Sequence, residues 1–189
     1  MAGPTVSSVF NRLDVRPQDG NVVRDEVKQM VKDAGVGGGI FGGTVINMAT
    51  DAMMDQFDAD KSGKVTQEEL GRQLYGFLKQ AVVGDGPAPE PGKMAEKALE
   101  WFDQVDTNHD GKVSKEELKV RVQEELERAG QSFPGTKADA ASKIGVYILD
   151  EDGDGQASRA EVESLARDVE AQGGPQQPPP PPPEQPEAA

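Results

Sequence analysis

Asp106–Glu117 reads DTNHDGKVSKEE, and this stretch decides how the rest of the chain is read. Taken as a loop frame, it sets oxygen-bearing side chains at places one, three, five, nine and twelve: Asp106, Asn108, Asp110, Ser114 and Glu117. Gly111 stands sixth and Lys112 seventh. Every specified place of the pattern D-x-[DN]-x-[DN]-G-x5-E is met. The spacing suits a hard cation such as Ca²⁺, which takes about 6–8 oxygens in a flexible shell. Alternate residues of a tight loop point inward, the Lys112 carbonyl supplies a further ligand, and a closing Glu supplies two oxygens. The bend at the sixth place needs a positive φ, which glycine adopts without steric cost.

Two further stretches repeat the frame. Asp58–Glu69, DADKSGKVTQEE, offers Asp58, Asp60, Ser62, Thr66 and Glu69, with Gly63 sixth and the Lys64 carbonyl seventh. It departs only at place five, where the Ser62 hydroxyl can still coordinate. Asp150–Glu161, DEDGDGQASRAE, offers Asp150, Asp152, Asp154, Ser158 and Glu161, with Gly155 sixth and the Gln156 carbonyl seventh. The expected cofactor is therefore Ca²⁺ at three sites, with Mg²⁺ as a possible competitor. Asp150, Asp152, Asp154 and Glu161 give the last loop one more carboxylate than the others, which favours binding there. Gly153 and the small Ala157 are expected to loosen it.

Asp14–Glu26 fails the frame. The apolar residues before and after it fix its ends, and the span is one residue too long. Arg16 stands where an oxygen should be. Asp19, Gly20 and Glu26 stay in phase counted from the end, so the insertion lies between Asp14 and Asp19. This loop is expected to be structural and to hold no ion.

Each loop lies between two stretches with helical apolar spacing. Val6, Val9, Phe10 and Leu13 precede the first, and Val27, Met30, Val31 and Ala34 follow it. Thr44–Phe57 and Leu70–Leu78 flank the second, Lys93–Val105 and Leu118–Leu126 the third, Thr136–Leu149 and Val162–Val169 the fourth. The fold class is thus all-α, four helix–loop–helix units in two lobes. The breaks support this division: Gly35–Gly43 and Gly130–Gly135 fall within lobes, and GDGPAPEPG at Gly84–Gly92 falls between them. Domains are expected at 4–83 and 93–171, with a Pro/Gly linker at 84–92 and a disordered proline-rich tail at 172–189. A single unit leaves its apolar face open, so the units should pair through short antiparallel bridges, Val22 opposite Val65 and Val113 opposite Ala157.

On these motifs the chain resembles the EF-hand calcium-binding superfamily over nearly all its length except the tail. FDQVDTNHDGKVSKEEL looks like the loop region of calmodulin-type, sarcoplasmic calcium-binding and calerythrin-like proteins. Four hands with one degenerate is similar to the sarcoplasmic and calerythrin pattern. Dockerin-type loops end in Asp at the twelfth place, whereas these three end in Glu.

Composition bounds the function. Acidic residues number 34 against 20 basic, a net charge of −14, which argues against nucleic acid or an anionic membrane as partner. No run approaches about 18 apolar residues, so no membrane span is expected. With no cysteine, thiol catalysis is excluded, and no signal peptide is recognisable, so a cytoplasmic location is expected by default. No nucleophile–base set or phosphate loop is visible, and the chain is not expected to be an enzyme. His109, fourth in its loop, should face solvent. Trp101 and Phe102 should be core aromatics, and Met30, Met48, Met53 and Met54 core fillers. The expected function is calcium buffering or signal modulation. Alternatives are a calcium sensor that exposes an apolar groove to a target protein, and a scaffold that recruits an SH3- or WW-type domain through Pro178–Pro183, a run without a basic anchor.

Overall fold

Thr5 starts the first helix: its hydroxyl accepts the Ser8 amide at 3.0 Å, and Ser8 Oγ accepts the Thr5 amide at 2.9 Å. This reciprocal cap satisfies amides that a helix start leaves unpaired. The structure, a computed structural model, describes residues 3–15, 18–38, 42–128 and 135–173, without the side chains of residues 126, 135, 136 and 173. Arg16 and the run Pro178–Pro183 lie outside the described residues.

The element order is α1 (Val6–Leu13), β1 (Val22–Val23), α2 (Arg24–Asp33), α3 (Gly42–Phe57), β2 (Lys64–Val65), α4 (Gln67–Val83), α5 (Met94–Val105), β3 (Lys112–Val113), α6 (Lys115–Arg128), α7 (Gly135–Leu149), β4 (Ala157–Ser158) and α8 (Arg159–Gly173). Two ends differ from the sequence reading. Gly42 and Gly43 belong to α3 rather than to the glycine-rich break, and α8 runs to Gly173, so residues 172 and 173 are helix and not tail.

The strands form two antiparallel ladders, β1 with β2 and β3 with β4, in the expected register: Val22 faces Val65 and Val113 faces Ala157. All four are at most 2% exposed. Each ladder therefore pins two loops together by backbone bonds and seals a small apolar plug beneath them.

The lobes are paired as expected at their loops, but their cores are not separate. One cluster gathers Val6, Val9, Phe10, Leu13, Val27, Met30, Val31, Phe57, Leu70 and Leu74 from the first lobe, and also Leu165 and Val169 of α8. The other holds Met94, Ala98, Trp101, Phe102, Val105, Leu118, Val146, Val162 and Ala166. Residues four apart share a helix face. The pair Val162 and Ala166 thus serves the second core, and the pair Leu165 and Val169 serves the first. Ile144, Tyr147 and Ile148 of α7 also pack on the first core. Gly145 lets α6 approach α7, since a Cβ there would come within 2.9 Å of Leu118 Cδ2.

Polar contacts fasten the same seam. Arg12 of α1 donates to the carbonyls of Asp150 (2.7 Å) and Ile148 (2.9 Å), and its guanidinium lies 5.4 Å from the centre of the Tyr147 ring. The Val6 amide donates to Asp168 at 2.6 Å, and Ser8 Oγ to Glu151 at 3.0 Å. Trp101 and Phe102 are core aromatics. Of the methionines, Met30 is buried, Met53 and Met54 are half-buried, and Met48 is 59% exposed. Among the described residues, no helix is long and apolar enough to cross a membrane.

Candidate metal centres

Each loop begins on the last turn of one helix and ends on the first turn of the next, so its first and last carboxylates are fixed by rigid elements. Asp58, Glu69, Asp106, Asp150 and Glu161 are all buried although charged. Burying a carboxylate is costly unless donors surround it, and here the loop's own amides surround it. Asp58 accepts from the amides of Ser62 (2.9 Å) and Gly63 (2.8 Å). Asp106 accepts from Asp110 (3.1 Å) and Gly111 (2.9 Å). Asp150 accepts from Gly153 (2.7 Å), Asp154 (3.1 Å) and Gly155 (2.8 Å).

The third- and fifth-place groups fold back in the same way. Asp60 takes the Ser62 amide at 2.9 Å, Asn108 the Asp110 amide at 2.8 Å, and Asp152 the Asp154 amide at 3.1 Å. Asp110 accepts from the Lys112 amide and Asp154 from the Gln156 amide, both at 2.9 Å. Ser62 Oγ donates to the Lys64 carbonyl at 3.2 Å, which draws the fifth and seventh places of that loop together.

The ninth and twelfth places show a device the sequence reading missed. Thr66 with Glu69, Ser114 with Glu117, and Ser158 with Glu161 are hydroxyl–glutamate pairs three residues apart at the start of an exiting helix. That spacing is a capping box. Glu69 Oε2 accepts the Thr66 amide (2.9 Å) and hydroxyl (2.8 Å). Glu117 Oε2 accepts the Ser114 amide (3.0 Å) and hydroxyl (2.8 Å). Glu161 Oε2 accepts the Ser158 amide (2.8 Å) and hydroxyl (2.7 Å). The other oxygen reaches back across the loop, to the amides of Ala59 (3.1 Å), Thr107 (3.0 Å) and Glu151 (2.8 Å). Each closing glutamate thus starts a helix and staples the loop ends at once. The same signature could have been read from the S/T-x-x-E spacing alone.

Ligand oxygens of Asp58, Asp60 and Glu69 lie within 4.8 Å of one another, as do those of Asp150, Asp152 and Asp154. In the loop between them, Asn108 replaces one acid. All the converging atoms are hard oxygens, held by donor N–H groups, and the donor set fits Ca²⁺. The sixth-place glycines take φ of +82° (Gly63), +82° (Gly111) and +86° (Gly155), as their place requires. The fourth place is left-handed too: φ is +57° at Lys61, +57° at His109 and +76° at Gly153. Gly153 occupies the one place where the other two loops strain a side-chain-bearing residue. His109 is exposed, as expected for a non-ligand.

The degenerate first loop keeps more of the frame than its length suggests. Asp14 accepts the amides of Asp19 (3.2 Å) and Gly20 (2.9 Å), and Glu26 accepts those of Val15 and Val23 at 2.9 Å each. Both carboxylates are buried. The ninth place, however, is Val23, which has no side-chain oxygen. The loop ends are stapled as in the other three loops, while the ninth place offers no side-chain oxygen, and Val22 beside it pairs with Val65 of β2.

Electrostatics follow the same hydrogen bonds. Burial pushes Glu69 and Glu117 upward, but the amide and hydroxyl of Thr66 and of Ser114 outweigh it and hold both carboxyls below the ordinary value of 4.5. A depressed carboxyl stabilises the fold above its unfolded pKa and loses that contribution as pH falls through the folded value. The stability that Glu69 and Glu117 contribute without divalent ions is therefore expected to hold from neutral pH to about pH 5 and to be lost as pH falls through the carboxylate range. Scanning calorimetry from pH 7 to pH 3 checks this; a rise in stability on acidification would contradict it.

An EF-hand domain pair model matches residues 49–123. That span joins the second and third loops, whereas the ladders pair the first with the second and the third with the fourth. A calcium and calcium/calmodulin-dependent serine/threonine-protein kinase of Oryza sativa subsp. japonica is 39% identical over 66 residues, and its counterpart in Lilium longiflorum 40% over 67. In each case 35% of this chain aligns, and the chain spans 12% of the kinase. Among solved structures, caltubin from the great pond snail covers 86% of this chain and 97% of its own, at 24% identity and a TM-score of 0.32. A calcium-binding protein of Streptomyces coelicolor covers 90% and 97%, at 18% identity and a TM-score of 0.30. The loop chemistry, the ladder pairing and the match over residues 49–123 agree on one family: the chain is a calcium-binding EF-hand repeat protein.

Proposed function

We propose that the chain holds three calcium ions, at Asp58–Glu69, Asp106–Glu117 and Asp150–Glu161, and serves as a non-catalytic calcium buffer or signal modulator. The observation that carries the choice of buffer is the cover on the first lobe. A sensor opens a lobe and offers its apolar surface to a target. Here Leu165 and Val169 are buried in that surface, with Ile144, Tyr147 and Ile148 packed against it. An external helix would have to displace α7 and α8 first. The degenerate first hand fits the same role, since it pairs through Val22 and Val65 while its ninth place, Val23, offers no side-chain oxygen.

The sensor reading has its own support in Met48, 59% exposed, and Phe77, 42% exposed, beside the half-buried apolar row of α3. Calorimetric titration is expected to count three Ca²⁺ per chain, and a count below two overturns the three-site reading. Calcium is expected to change ANS fluorescence little. A large calcium-specific rise, absent with Mg²⁺, would favour the sensor. A partner lost on deleting residues 174–189, with calcium stoichiometry unchanged, would favour an adaptor.

A further inference from the structure

Two loops carry a lysine in seventh place, Lys64 and Lys112. Lys64 faces Val23 across its ladder and makes no ion pair among the described residues. Lys112 faces Ser158, and its ammonium bonds Asp154 Oδ2 in the neighbouring loop, 42 residues away in sequence. Asp154 is the fifth-place acid of Asp150–Glu161. Its other oxygen already accepts the Gln156 amide at 2.9 Å, so a cation approaching Asp154 meets a carboxylate with both oxygens engaged.

We propose that Lys112 is an affinity-determining residue of the fourth loop, a tethered cation that competes with a divalent ion at Asp154. This rests on the reading of these loops as calcium sites. One lysine thereby has two opposed effects. Its carbonyl is a seventh-place ligand of its own loop, while its ammonium opposes binding in the next. An incoming ion must displace the ammonium or bind beside it, and either costs affinity. The ammonium thus works against the extra carboxylate of Asp150–Glu161. The two side chains are 42% and 35% exposed. Such a pair is worth a modest amount, which sets the effect at about threefold to fivefold in affinity. Salt should erase it, because charges are screened within about 3 Å at 1 M ionic strength.

The test is a Ca²⁺ titration of the full chain followed by NMR, with the amides of Gly63, Gly111 and Gly155 reporting their own loops. Lys112→Met removes the charge and keeps the stem and the carbonyl. Lys112→Arg keeps the charge, and Lys64→Met removes a charge from the same place in the second loop. Lys112→Met is expected to tighten the Gly155-reported site about threefold to fivefold in low salt, with the gain lost near 1 M salt. Neither Lys112→Arg, which keeps a cation beside Asp154, nor Lys64→Met should tighten that site. A Gly155 site unmoved or weakened by Lys112→Met, or tightened equally by Lys64→Met, overturns the proposal alone. A wild-type chain whose Gly155 amide does not respond to calcium overturns both the proposal and the calcium reading of that loop.

Discussion

A Glu161→Gln chain is expected to bind one calcium ion fewer than the wild type while keeping its helices. Glu161 Oε2 takes the amide and hydroxyl of Ser158, and Oε1 takes the amides of Glu151 at 2.8 Å and Asp152 at 3.3 Å. Glutamine has the same shape but turns an NH₂ group toward donors and brings no charge. Hydrogen bonds to a charged group are worth about 1.5–3 kcal/mol each, and the ion loses an oxygen as well. The site should weaken on the order of 100-fold. Glu69→Gln and Glu117→Gln should act alike, because Thr66 and Ser114 hold those carboxylates in the same way. Calorimetric titration counts the ions, and circular dichroism checks the fold. An undiminished count and affinity would refute the role of the closing glutamate.

The second large effect concerns the seam between lobes. Leu165 lies on the exiting helix of the fourth hand, yet it is buried in the core of the first lobe. Leu165→Ala should cost about 2–5 kcal/mol, the usual cost of a cavity in a packed core. More tellingly, it should destabilise both lobes together. Trp101 reports the second lobe, whose core does not contain Leu165, and hydrogen exchange at Val22 and Val65 reports the first. Both signals should shift by the same free energy in a denaturant titration. A loss below about 0.5 kcal/mol, or one confined to either lobe, would mean the lobes are independent.

The loops were legible because their information is local. Asp106, Asn108, Asp110 and Glu117 must sit at fixed spacings to surround one ion, so the spacing itself is the signal. The same locality made the ladder register readable, since the eighth place of each loop follows from its first. The first loop was only partly legible. Its extra residue and the loss of an oxygen at Val23 argue against a site, but the buried bonding of Asp14 and Glu26 needs no ion, and a ligand count cannot register it.

By itself the sequence determined four helix–loop–helix units, three loops able to gather hard oxygens, and a first loop that departs from their frame. Only the tertiary structure decided how the two lobes share one molecule. Val162, Leu165, Ala166 and Val169 read as a single apolar stripe, and periodicity says that such a stripe is covered without saying by what. The fold divides it between two cores. Arg12 reaches Asp150 across 138 residues, and Lys112 reaches Asp154 across 42. Contacts so distant in sequence leave no spacing to read. They exist because packing α7 and α8 against the first lobe, and β3 against β4, brings those side chains together.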